Sequence, residues 1–164
     1  MNSVSDILGK KGTDAWSVSP DATVFQALEL MAQKEVGALL VVESNNLTGI
    51  ISERDYARKV VLLGKTSKDL PVREIMSTRV IYVTPQHTIE DCMALMTDQR
   101  IRHLPVLDGY DIKGVISIGD VVKAIIHEKE FVIDQLVQYI KGTPSVVTEY
   151  AKPPEDPQST SVNK

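Results

Sequence analysis

Cysteine is almost missing from this chain: Cys92 is the only one in 164 residues. An intramolecular disulfide is therefore excluded, and nothing requires an oxidising compartment. The place of Cys92 on an apolar helix face points to a core thiol rather than a reactive one. Long apolar runs are missing too. No segment approaches the ~20 apolar residues of a membrane span, and the first 16 residues hold no run of signal-peptide length. A cytoplasmic location is expected by default, with an organelle protein that has lost its transit peptide reading the same. An excess of positive charge is also lacking. The formal net charge is −4, which argues against nucleic-acid or membrane binding, because such surfaces are usually strongly basic. Finally, the histidines are His87, His103 and His127, and with one cysteine they fall in no triad or metal-ligand spacing. No catalytic residue, no metal site and no catalytic cofactor is expected.

What the chain does have is a repeat. Gly49-Ile50-Ile51-Ser52-Glu53-Arg54-Asp55 returns as Gly114-Val115-Ile116-Ser117-Ile118-Gly119-Asp120, and at that offset of 65 residues 17–61 align on 82–126 without a gap. Identities include Pro20/Pro85, Thr23/Thr88, Met31/Met96, Leu39/Leu104 and Val41/Val106. Each repeat alone is near the size at which burial is marginal, so the two should need each other. A shorter echo pairs Val4-Ser-Asp-Ile-Leu-Gly9 with Val72-Arg-Glu-Ile-Met-Ser77, at an offset of 68. The connection to the first strand is thus three residues longer in the first repeat.

The local pattern predicts strand, helix, strand, strand, helix in each repeat. Trp16–Ser19 and Val80–Thr84 alternate and stop at proline, as short strands do. Thr23 with Gln26, and Thr88 with Asp91, are capping boxes that open helices burying Val24, Leu28 and Met31, and Ile89, Cys92 or Met93, and Met96. Ala38–Val42 with Leu47–Ser52, and His103–Leu107 with Ile112–Ser117, read as hairpins. The second helices start at Ser52 and Ser117. The last continues with apolar positions at Phe131 or Val132, Leu136, Val137 and Ile140 to a stop at Gly142-Thr-Pro144, a stripe that needs a covering surface, either its own chain or a second copy. Beyond it the segment is polar and proline-rich, as in a disordered tail. The expected division is 1–68 for the first unit with its lead-in, 69–128 for the second, 129–142 for the helix extension and 143–164 for the tail.

Chemically, Gly-apolar-apolar-Ser-x-x-Asp is a strand running into a helix, with serine at the N-cap and aspartate one turn in. One reading is a cap alone. The other is a ligand site: serine hydroxyl and first-turn amides hold a phosphate, while the aspartate accepts hydrogen bonds from a ribose diol. Arg54 adds a charge suited to bidentate phosphate contact, and Gly119 stands in its place in the second repeat, so the two sites should differ. Arg102 and His103 are either solvated surface or, if the halves pack about a pseudo-twofold, a basic pair facing the cleft. From Arg54 to Arg79 the chain is locally positive, which would serve small anions.

This doubled pattern, over residues 4 to about 127, resembles a tandem pair of cystathionine-beta-synthase (CBS) domains, a Bateman module. The resemblance implies an α+β fold of two βαββα units packed about a pseudo-twofold axis, with the extended C-terminal helix added. It implies clefts for adenosine ligands such as AMP, ADP, ATP, NAD or S-adenosylmethionine. Ser52 and Ser117 would contact phosphate, Asp55 and Asp120 the ribose, and Arg54, Arg102 and His103 the phosphate, with Val36, Ile51, Ile101 and Ile116 flanking the base. Leu40 departs from the proline usual in that family, a change expected to loosen the first strand turn. The implied function is a regulatory nucleotide sensor, a homodimer that signals to an unidentified protein partner. The alternative is a scaffold of the same fold that binds no nucleotide.

Overall fold

The computed structural model describes residues 3–141. The gapless expectation for the two repeats translates into two hairpin sheets, each with a helix in front and a helix behind. The first repeat holds β1 (Ser17–Val18), α2 (Val24–Lys34), β2 (Ala38–Glu43), β3 (Asn46–Ser52) and α3 (Glu53–Tyr56), after α1 (Val4–Lys11). The second holds α4 (Ile89–Gln99), β4 (His103–Asp108), β5 (Asp111–Ser117) and α5 (Ile118–Ile140). Both capping boxes form as expected, with Thr23 and Thr88 each accepting from the amide three residues on. Cys92, not Met93, faces the core. The turn between β2 and β3 is two residues, Ser44 and Asn45, both with positive φ, the geometry that follows the twist of a hairpin.

The repeats are less alike than their sequences. In the first, β1 pairs in parallel with β2, and Leu40 N–H donates to Trp16 O at 3.0 Å. The second was expected to have the same strand at 80–84, but only a single parallel bridge between Val83 and Val106 is present. The residue equivalent to Leu40 is Pro105, which has no N–H to offer Ile81 O, so the ladder stops there. Leu40 therefore adds a strand bond where a looser turn was expected. The expected second helix of the first repeat is also shorter: α3 gives way to a π turn at Ala57–Val61.

The two lead-ins are exchanged. Val4 and Ser5 donate backbone bonds to His87 O and Pro85 O of the second repeat, and Val72 and Arg73 donate the equivalent pair to Ala22 O and Pro20 O of the first. Accordingly Val4, Ile7 and Leu8 of α1 lie in one core with Ile89, Cys92, Met96, Leu104, Val106, Ile116 and Val121. Val72 and Ile75 lie in the other with Val24, Met31, Leu39, Val41, Ile51 and Val60. Residues before each repeat thus complete the other's core, the physical form of the mutual dependence that the small size demands.

This exchange also explains the motif glycines. A Cβ on Gly114 would lie 2.8 Å from Leu8 Cδ2, and one on Gly49 2.8 Å from Met76 Sδ and 3.0 Å from Ser77 O. Leu8 and Met76 are counterparts in the two lead-ins. Glycine is there so that the exchanged lead-in can lie on the sheet.

Residues 129–141 continue α5 and carry exposed Phe131, Val132, Ile133, Leu136, Val137, Tyr139 and Ile140. The expected stop at Gly142 and the tail 143–164 lie outside the described residues. Among the described residues, no helix is long and apolar enough to cross a membrane.

Candidate functional site

Each strand-to-helix corner is built by the same local rule. Ser52 and Ser117 leave their strands in extended conformation, and each faces an aspartate three residues on. Asp55 Oδ2 accepts from Ser52 N–H and Oγ–H, both at 2.9 Å, and Asp55 N–H donates to Ser52 Oγ at 3.3 Å. Asp120 Oδ2 accepts from Ser117 N–H at 2.7 Å and Oγ–H at 3.0 Å, with the return bond at 3.3 Å. The capping reading of the motif therefore holds in both copies, whatever else the groups do.

The corners then diverge. Asp55 Oδ1 meets Lys59 Nζ of its own helix at 2.9 Å, so both carboxylate oxygens are engaged. Asp120 is met by Lys11 Nζ, which comes from α1 and reaches Oδ2 at 2.6 Å and Val115 O at 2.9 Å. No described residue bonds Asp120 Oδ1. Burial alone would raise the pKa of Asp120, but the bonds from Lys11 and Ser117 outweigh it and hold the carboxyl below its usual range.

His103 ties the repeats together. Its backbone pairs with Ser117 across β4 and β5. Its ring lies against Gly37 of the first repeat, where an added Cβ would be 3.4 Å from Cε1 and Nε2 and 3.7 Å from Glu53 Oε2. Burial pushes its pKa down, the Lys11 ammonium adds to that, and Asp120 and Glu53 oppose it. Arg54 crosses in the other direction, donating from Nη1 to Arg100 O at 2.8 Å. The backbone closes the centre symmetrically, Glu53 N–H donating to Gly37 O at 3.1 Å and Ile118 N–H to Arg102 O at 2.9 Å.

Of the residues singled out from sequence, Ser117, Asp120 and His103 gather at the second corner, Ser52, Asp55 and Arg54 at the first. Arg102 is exposed between them. Val36 and Ile101 are partly buried beside the two cores. Ile51 and Ile116 are 1% and 0% exposed, so both are core side chains and present no surface to a base. Lys11, Lys59 and Gly37 were not singled out. Lys59 follows Asp55 at helical spacing and was readable as an i, i+4 partner, whereas Lys11 reaches Asp120 only because the lead-ins cross. Cys92 is buried in the core, its thiol pushed up to about 11 chiefly by burial, which makes it inert. Among the described residues no cluster could hold a metal ion. A depression of about 430 Å³ beside α1 is lined by Leu8, Thr13, Pro85, Ile112 and Lys113 among others, and none of the corner residues lines it.

The CBS domain family model matches residues 4–62 and 72–127. The chain is similar to the mitochondrial CBS domain-containing protein CBSX3 of Arabidopsis thaliana, 43% identical over 85% of this chain and 72% of that one. It is also similar to the CBS domain-containing protein YhcV of Bacillus subtilis, 37% identical over 73% and 83%. Among solved structures, a CBS-domain protein from Burkholderia ambifaria is 50% identical with a TM-score of 0.75, covering 76% of this chain and 94% of that one. One at 23% identity, with a TM-score of 0.68 over 77% and 97%, is a CBS domain pair in complex with 5′-methylthioadenosine and S-adenosyl-L-methionine. With the doubled corner, the two cores and the matched repeats together, this chain belongs to the CBS domain family, as a pair of such domains of the regulatory type.

Proposed function

We propose that the chain is a sensor of adenosine-containing ligands: AMP, or a relative such as ADP, ATP or NAD, bound at the strand-to-helix corners, shifts a conformational or oligomeric equilibrium that a protein partner reads. The observation that carries this reading is the convergence of Lys11, His103, Ser117 and Asp120 from four elements at one corner, with exposed Arg102 next to His103 in sequence, a carboxylate for a sugar beside cations for a phosphate. Ser117 and Asp120, and Ser52 and Asp55 with Arg54 at the other corner, are the assigned contacts. The complex of the distant CBS domain pair with adenosine compounds supports the ligand class. The long α5 stripe is assigned to a homodimer contact, which light scattering of the intact chain reads directly.

Ligand at about 100 times its Kd favours the bound form by about 2.7 kcal/mol, enough to tilt a two-state balance. Titration calorimetry with AMP, ATP and NAD is expected to give a saturable heat that the double variant Asp55→Ala/Asp120→Ala abolishes. Equal heats for the two proteins would end the nucleotide reading.

A second reading is favoured by one observation: the polar groups of Ser52, Asp55 and Ser117 are all satisfied internally. On that reading the corners are caps alone and the chain is an interaction scaffold. Capture of a partner at the same level with and without nucleotide would support it.

A further inference from the structure

Each repeat shows an apolar helical face to water. Val61 and Ile126 are equivalent positions of the two copies, and both are half exposed, at 55% and 51%. Near Val61 the first repeat also exposes Leu62, Leu63 and Phe25, where the chain beyond the π turn runs back past α2 and Ser67 O accepts from Phe25 N–H at 3.0 Å. Near Ile126 the second exposes Ile118 and Val122, at i, i+4 spacing along the start of α5, and Met93 on α4. The charges that frame these faces are opposite. From Ala57 to Lys68 the chain carries Arg58, Lys59, Lys65 and Lys68 and no acid, and α2 and α3 add Glu29, Glu53 and Asp55 against Lys34 and Arg54, so cations stay in excess. In the second repeat α4 carries Glu90, Asp91 and Asp98 and no cation, and α5 as far as Glu128 adds Asp120 and Glu128 against Lys123. One small body thus holds a basic apolar face and an acidic apolar face.

We propose that the two faces cover each other between two copies of the chain, in a crossed pair: the segment from α3 to Lys68 of one copy lies on α4 and the start of α5 of the other, and the same contact recurs the other way round. The occupant is a second copy because each face finds its complement, apolar at the centre and opposite in charge at the rim, on this molecule itself. Burial of Leu62, Leu63, Val122 and Ile126 supplies the attraction, and exposed residues of that size in one patch are what an interface covers. Charge then selects the arrangement. Copies paired like on like would set Lys65 and Lys68 against their own equivalents and Glu90 and Asp98 against theirs, whereas the crossed pair joins cation to acid in both contacts. Under two-fold symmetry each residue is used twice, so a single substitution is felt in both contacts. The divergence of the two repeats outside their motifs is, on this view, what gives the pair its direction.

This inference rests on the homodimer reading above and names the faces that meet; the experiment separates the two. The intact chain is sedimented over a range of concentrations as wild type, as Lys65→Glu/Lys68→Glu, as Glu90→Lys/Asp98→Lys and as the chain carrying all four changes, with thermal melting of each to confirm folding. Either double variant is expected to weaken the dimer by about tenfold or more, since two exposed charges are reversed in each of two contacts, and the fourfold variant should regain much of the loss. Cross-linking on the otherwise native chain gives a second reading. A short bismaleimide should join Leu62→Cys chains to Val122→Cys chains when the two are mixed, and neither kind to itself; Cys92, being buried, takes no part. Double variants that pair as tightly as wild type overturn the crossed arrangement and leave the homodimer standing. Cross-links within Leu62→Cys alone or Val122→Cys alone, at the level of the mixture, set like face on like and also overturn it. A folded wild type that sediments as a monomer throughout overturns both.

Discussion

The two corners share their motif and differ in what completes it. The first takes its cation from its own helical segment, Lys59 one turn after Asp55, while Arg54 reaches across to Arg100 O of the second repeat. The second is finished by a residue from the far end of the chain, Lys11, and by His103 from the adjacent strand. A duplicated sequence therefore yields two sites of unlike chemistry. The difference arises where the copies diverged, at position 54 against 119, and where the fold exchanges its lead-ins. The first corner is tied to the second repeat through Arg54 and to the second lead-in through Lys59, which also donates to Ile75 O at 2.7 Å. The second corner, held by Lys11, depends on the packing of α1.

The sharpest way to break the comparison is at the glycines that admit the lead-ins. Gly114 has φ of +155° and would place a Cβ 2.8 Å from buried Leu8, whereas Gly49 carries the close approach without the unusual φ. Gly114→Ala should destabilise by about 3 kcal/mol or more, overpacking and backbone strain adding, and Gly49→Ala by about 1 to 3 kcal/mol. Urea unfolding measures both. Gly114→Ala should in addition loosen α1 and so disturb the Lys11–Asp120 contact, which hydrogen exchange of the α1 amides would show. Equal costs at the two glycines would mean that the lead-ins pack equivalently and that the backbone conformation at 114 carries no strain.

A middle-sized effect lies in the first strands. Leu40→Pro removes the donor of the Leu40 to Trp16 bond and gives the first repeat the residue of the second. A loss of about 1 to 2 kcal/mol is expected, with β1 reduced to a bridge like that at Val83. Pro105→Leu is the reciprocal change, restoring a donor opposite Ile81 O, and should extend the pairing of that segment. If Leu40→Pro leaves stability and the protection of Val18 unchanged, the proline is not what shortens the strand.

Much of this was legible beforehand because it is local. Capping boxes, hairpins and the Ser-x-x-Asp corner depend on residues within a few positions of each other, and periodicity put Met96, with Cys92 or Met93, in the core. Ile51 and Ile116, which the family resemblance sets beside a base, are core side chains because their strands are buried on the face that carries them, which alternation alone did not reveal. The exchange of the lead-ins was hidden for a different reason. Val4–Gly9 and Val72–Ser77 echo each other, but an echo says that two segments play one role, not which repeat each serves. Lys11 was invisible on the same ground, its partner lying 109 positions away. The missing strand at 80–84 followed from one absent N–H at Pro105, a clue present in the sequence but expressed only once the register was known.

The smallest effect concerns His103, the residue on which the two repeats meet. Its ring lies against Gly37, with Glu53, Lys11, Arg102 and Asp120 the charged groups that face it, and burial and the nearby ammonium hold its pKa below the ordinary value of 6.5. A depressed pKa means that, as pH falls below 6.5, the unfolded chain takes up the proton before the folded one does. Stability is then lost from 6.5 downward until the folded pKa is passed, and is fully present above 6.5. His103→Gln removes this titration, so its stability between neutral and mildly acid pH should fall less steeply than that of wild type, by a fraction of a kcal/mol. Asp120 titrates lower still and contributes its own loss below the ordinary carboxylate value of 3.8, which bounds the window from beneath. Parallel curves above that bound would show that the proton costs the folded centre nothing, and would leave the contact of His103 with Gly37 as packing between the repeats, without an electrostatic part.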